Sequence, residues 1–185
     1  VYLIDTPINI GEKESGKNNY KLVIRADENA QPVIKAKPLA VTWKKGENGV
    51  WSAKTNETAT VLYNGGSAAE KAASALIKPY AKIKNGVAAE IDADIKNSGS
   101  LYAVWKGDGS YLRLKVKEIT KNNEITAFTF DEEEYKKALP VLNKIYNIGF
   151  YIENAAEFLT ENTWCFDEEK KTVYYNGNTE NAEIF

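Results

Sequence analysis

Apolar and polar side chains alternate most regularly over residues 88–117. Ile91, Ala93 and Ile95 alternate with Asp92, Asp94 and Lys96, and further on Leu101, Ala103 and Trp105 alternate with Tyr102, Val104 and Lys106. A period of two belongs to a strand with one buried and one wet face. The alternation breaks at 97–99, and Asp108-Gly109 separates two strand-like runs as a two-residue hairpin loop, which needs positive φ at both central positions. Pairing Gly107 with Ser110 then opposes Trp105 with Leu112, Ala103 with Leu114 and Leu101 with Val116 on one apolar face. The other face receives Lys106 with Tyr111, Val104 with Arg113 and Tyr102 with Lys115. A slip by one residue would bury less apolar surface, so the first register is favoured.

Elsewhere the same pattern predicts strands over 1–4, 20–26, 33–36, 39–43, 58–63, 125–130 and 144–153. A last hairpin joins 164–166 to 172–175, a polar loop spans 11–19, and turns fall at 27–32 and at Asn122-Asn123. In the 144–153 strand Ile148, Phe150 and Ile152 share one face, and Asn147, Tyr151 and Glu153 the other. An Asn48-Gly49 turn lies between Trp43 and the pair Val50-Trp51, so two indoles flank one loop, either closing the end of the core or bordering a binding surface. Ser67 and Glu70 have the spacing of a capping box, and Ala69, Ala72, Ala73 and Leu76 follow at helical spacing until Pro79. Asp131 and Glu134 open a second short helix carrying Tyr135, Ala138 and Leu139, ended by Pro140. The tail beyond Gly177 reads as polar and loosely held. About ten strands with two connecting helices predict an all-β antiparallel β-sandwich of the jelly-roll kind, with residues 1–185 as a single domain.

Composition narrows the chemistry. With 24 basic and 26 acidic residues the net charge is -2, which lacks the positive footprint of nucleic-acid or anionic-membrane binders. The chain has 0 His, which removes Ser-His and Cys-His nucleophile pairs and imidazole zinc sites. Cys165, the single cysteine, has no partner for an internal disulfide and reads as a small buried hydrophobe in an aromatic Thr-Trp-Cys-Phe run. No apolar run approaches the roughly 18 residues of a membrane span. The first eleven residues lack the charged start and apolar core of a signal peptide, and no Met opens the chain, so a mature or excised segment is expected, as part of a larger multi-domain protein.

The run SLYAVWKGDGSYLRLKVKEI at 100–119, followed by ITAFTFDEEEYKKALPVLNKIYNIGFYIEN at 125–154, resembles the second half of jelly-roll carbohydrate-binding modules attached to bacterial plant-polysaccharide hydrolases. In those modules a Phe-containing strand leads through a short acidic segment into a strand of the Ile-Gly-Phe-Tyr-Ile type. The resemblance covers residues 87–153. It implies a secreted or cell-surface bacterial protein, such as a cellulosome component, that binds polysaccharide. It also implies a structural calcium near the last strand, although 164–175 lacks the clear aspartate segment that would hold one. For the acidic residues 131–134, calcium binding stands beside the simpler role of favourable charge at a helix N-terminus.

A pyranose presents C–H faces that stack on aromatic rings and hydroxyls that need amide, carboxylate or guanidinium partners. The wet face carries this mixture in Tyr102, Tyr111, Arg113 and Lys115; a neighbouring strand adds Asn147, Tyr151 and Glu153, and Trp43 and Trp51 offer a platform. Covering ~100 Å² of ring gives ~2.5 kcal/mol per stack before ordering costs, so two stacks imply binding on the order of 10–100 μM. The candidate binding residues are Trp43, Trp51, Tyr102, Tyr111, Arg113 and Tyr151. Tyrosines on a wet strand face also serve as plain sheet formers. Glu90, Asp92 and Asp94, about 7 Å apart along a strand, offer the spacing of glycosidase carboxylates, against their commoner role in solubility and edge protection. The expectation is a chain without catalysis of its own and without a required cofactor. It would bind a plant cell-wall β-glucan or mannan and target an attached enzyme, the alternative being a structural or protein-binding adhesion module.

Overall fold

A computed structural model describes residues 1–6, 8–11, 16, 21–46, 48–96, 99–107 and 109–185. Most of the 11–19 loop, Tyr20, Glu47, Asn97, Ser98 and the Asp108 half of the Asp108-Gly109 turn lie outside the described residues. In chain order the strands are β1 (Tyr2–Ile4), β2 (Ile34–Ala36), β3 (Lys44–Lys45), β4 (Trp51–Lys54) and β5 (Leu62–Asn64). Next come β6 (Ser67–Ala68), β7 (Glu70–Lys71), β8 (Pro79–Ile83), β9 (Gly86–Glu90), β10 (Tyr102–Gly107), β11 (Ser110–Asn122) and β12 (Ile125–Phe130). Helix α1 (Glu132–Ile145) follows, then β13 (Tyr151–Glu153), β14 (Thr163–Asp167), β15 (Thr172–Tyr175) and β16 (Ala182–Ile184).

The protein is an all-β sandwich of mainly antiparallel sheets, with β1-β2 and β7-β14 paired in parallel, and one α-helix among the described residues. A six-stranded sheet runs β13-β10-β11-β12-β9-β8, and a five-stranded sheet runs β3-β4-β15-β14-β7. The latter packs against a small sheet, β16-β5-β6, around Leu62, Trp164, Phe166, Val173, Tyr175 and Ile184. The six-stranded sheet carries the larger core on the face predicted from the alternation, where Leu101, Ala103, Trp105, Leu114 and Val116 are buried. Trp105 stacks on Phe150 with centroids 5.1 Å apart and meets Phe130 edge-on. The β10-β11 register agrees with the sequence reading at every pair from Tyr102↔Lys115 to Gly107↔Ser110, and Gly109 has φ 69.

Helix α1 covers this face with Tyr135, Ala138, Leu142 and Ile145, a helical i, i+3, i+7 stripe. Asp131 caps it, its carboxylate accepting the N–H groups of Glu133 and Glu134. Pro140 does not end the helix as expected. A proline costs one intrahelical bond and crowds the preceding turn, but the helix continues because Leu142 and Ile145 beyond it are each only 1% exposed against the sheet. Lys144 therefore lies in α1, and only Tyr151–Glu153 of the predicted 144–153 strand forms a ladder.

Several other expectations are corrected. Residues 67–78 form no helix: β5 and β6 make a hairpin around Gly65 and Gly66, whose φ values of 58 and 85 suit a two-residue loop. The chain then runs extended, β7 pairing with β14, and Ala73 and Ile77 bridging to Glu153 and Phe150. Alanine here supplies small size rather than helical propensity, since buried Ala72 and Ser74 let this segment stitch the two sheets together. Ser74 accepts the Ile152 N–H through its hydroxyl, and Asn154 donates its N–H to the Ala72 carbonyl. Residues 91–96 keep alternating burial but lie outside the ladder, which ends at Glu90. Residues 21–26 and 39–43 also lack strand pairing, although Leu39, Val41 and Trp43 pack on the second core. The hairpin of β8 and β9 lies where the sequence reading placed a helix stop. The tail is not loose, because β16 pairs with β5 and Ile184 is 0% exposed.

Candidate functional site

Where β7 and the 72–77 segment join the two sheets, the wet face of β10 and β11 becomes the floor of an open groove of about 510 Å³. Tyr102, Tyr111, Arg113 and Lys115 come from the hairpin, Glu153 from β13, Lys71 from β7 and Phe166 from β14; Glu168 and the 58–60 loop add the rim. Period-two geometry alone brings the hairpin residues together, since Tyr102 lies between Lys115 and Glu153 across the sheet.

The Arg113 Nε donates to Glu153 Oε2 at 2.9 Å, and the guanidinium carbon lies 3.3 Å from the centre of the Tyr102 ring. A planar cation stacked on an aromatic face is held in one orientation. That ring face is thereby covered, so Tyr102 orients Arg113 instead of offering that face to a ligand. Tyr111 is the open platform, 60% exposed. Its phenol is pushed above its ordinary range by desolvation and then by the Glu153 charge, with Arg113 opposing, so it stays a hydrogen-bond donor. At one end Lys115 Nζ meets Glu168 Oε2 at 2.9 Å.

Lys71 is half-buried with its Nζ 3.5 Å from the centre of the Trp164 ring. Burial, then the Arg113 charge, lowers its ammonium from 10.5 to about 8, against the opposing pull of Glu153 and Cys165. Cys165 is buried, and desolvation pushes its thiol up to about 12, in keeping with a small buried hydrophobe. Asn154 holds the groove floor: its amide donates to the Ser100 and Phe166 carbonyls and accepts the Phe166 N–H at 2.9 Å, while the Ser100 hydroxyl bonds the same Phe166 carbonyl. Its φ of 73 is a left-handed conformation that asparagine tolerates.

Of the six residues singled out from sequence, Tyr102, Tyr111 and Arg113 line this groove. Tyr151 lies on the same sheet face opposite Val104 but outside the lining. Trp51 lies in β4 of the other sheet and Trp43 just before β3: Trp43 packs on the second core with its ring 6.2 Å from that of Tyr175, and Lys45 lies over the Trp51 ring at 5.7 Å. The paired-indole platform therefore does not join the groove. Sequence reasoning missed Lys71, Asn154 and Glu168. Lys71 was hidden in the predicted helix, and Asn154 had only its place just after an aromatic strand to mark it. Glu90 and Asp92 border a separate depression with Lys121, Asn123 and Glu124 that holds no aromatic ring. Among the described residues no three His, Cys, Asp or Glu side chains gather as a metal site.

No protein-family model matches the chain, and no curated protein matches it. A solved structure named glycoside hydrolase is similar, with a TM-score of 0.68 at 17% identity over 99% of this chain and 36% of that one. At this identity the likeness shows the fold, and the chain spans about a third of that neighbour's length. One expectation is corrected by it. The sequence leads to the expectation of no enzymatic role, yet the fold recurs within a protein named glycoside hydrolase, and that expectation does not stand.

Proposed function

We propose that the groove binds a glycan chain, as part of a larger secreted protein that acts on polysaccharide. The observation that carries this is the exposed Tyr111 ring beside an oriented Arg113–Glu153 pair, which combines a stacking surface with fixed donors and acceptors. The name of the structural neighbour supports the same reading. With Tyr102 covered by Arg113, one stack remains. Covering ~100 Å² of Tyr111 yields ~2.5 kcal/mol, and a few hydrogen bonds of about 1 kcal/mol each bring affinity to the order of 0.1–1 mM after ordering costs.

Affinity electrophoresis through a panel of soluble polysaccharides tests this. Retardation by one glycan class, lost in Tyr111→Ala and kept in Trp51→Ala, is expected. Migration unchanged by every glycan would overturn the proposal. Release of reducing ends from the retarding glycan, measured in parallel, reads any hydrolysis by this chain.

A further inference from the structure

The charges in the groove do not balance. Lys71, Arg113 and Lys115 face Glu153 and Glu168. Each carboxylate already has a cation, Glu153 with Arg113 and Glu168 with Lys115, both at 2.9 Å. Among the described residues Lys71 has no carboxylate partner; its Nζ rests on the Trp164 ring. A half-buried ammonium beside a second cation is costly for a fold to keep, and an anionic group on the ligand would offset that cost where a neutral hydroxyl would not.

We propose that the groove recognises a carboxylated sugar, seating the carboxylate of a uronic acid residue between Lys71 and Arg113 while the sugar ring stacks on Tyr111. This rests on the reading of the groove as a glycan site. The ligand carboxylate supplies the anion that Lys71 lacks. Arg113 has the donors for it, since its Nε is used by Glu153 and a guanidinium carries five N–H groups in all. The phenol of Tyr111, held protonated, and the hydroxyl of Thr58 on the rim are placed for the sugar hydroxyls. The lowered pKa of Lys71 agrees with a site whose counter-ion comes with the ligand. A neutral β-glucan or mannan, expected from the sequence, would bring no anion to this ammonium.

The test is isothermal titration at 150 mM salt with oligomers of polygalacturonate, alginate and glucuronoxylan, each also in its carboxyl-reduced form, alongside neutral glucan and mannan oligomers. One acidic series should bind at least about tenfold more tightly than its reduced form. Lys71→Gln should bring the acidic ligand down to the level of the reduced one, Lys71→Arg should restore part of the preference, and Tyr111→Ala should weaken both forms. Binding of every acidic series no tighter than its reduced form, or an unchanged preference in a folded Lys71→Gln, would overturn the inference while leaving a neutral-glycan groove standing. Absence of binding to every oligomer would overturn both readings.

Discussion

Replacing Lys71 by Met should stabilise the protein at neutral pH. The native ammonium titrates at about 8 instead of 10.5, and at 1.36 kcal/mol per pH unit that displacement corresponds to about 3 kcal/mol of penalty on the charged form. The contact with Trp164 returns on the order of 1 kcal/mol. A thioether fills the same space against the indole without the charge, so Lys71→Met should gain about 1–2 kcal/mol at pH 7, or about 2–8 °C in Tm for a chain of this length. The pH dependence has a definite sign. Between pH 8 and 10.5 the unfolded chain holds the Lys71 proton and the native one has released it, so wild-type stability rises with pH in that window. Below pH 8 the penalty is fully present. Cys165, raised from 9.0 to about 12, acts in the opposite sense above pH 9, so the quantity to follow is the difference between wild type and variant, in which that contribution largely cancels. Urea unfolding followed by tryptophan fluorescence should give a gap between the two proteins at pH 7 that closes by about pH 10. A variant less stable than wild type at pH 7, or a gap independent of pH, would refute the reasoning.

Asn154→Ala removes three buried hydrogen bonds, two of them to Phe166 of β14 and one to the Ser100 carbonyl, and places alanine at φ 73. It should cost about 2–4 kcal/mol in urea unfolding, and Asn154→Asp should give no rescue, because its buried carboxylate sets an oxygen against the Ser100 and Phe166 carbonyls to which the amide donates. The Cys165 thiol, buried and raised to about 12, should resist alkylation at pH 8 in the native protein and react readily in urea; fast native labelling detected by mass spectrometry would contradict that burial.

What could be read from the sequence followed how local its physics was. The β10-β11 hairpin was legible because strict alternation and an Asp-Gly loop fix both face and register, and with them Tyr102, Tyr111 and Arg113 on one wet surface. The β14-β15 hairpin and the Asp131 cap were legible for the same reason. Residues 67–78 were not. Alanine serves a helix through propensity and a tight sheet junction through small size, and only the partners Trp164, Glu153 and Phe150, distant in sequence, decide between them. Lys71 was lost with that segment. The burial of Ile184 likewise depends on β5, more than a hundred residues earlier. The covering of Tyr102 by Arg113 depends on rotamers that no alternation pattern specifies.

The most direct measurement is an NMR titration of the isotopically labelled chain with the oligosaccharide that retards it. The account predicts amide shifts concentrated at Lys71, Tyr102, Tyr111, Arg113 and Glu153, with the surroundings of Trp43 and Trp51 unmoved. Shifts centred on the two indoles, or none at saturating oligosaccharide, would contradict it.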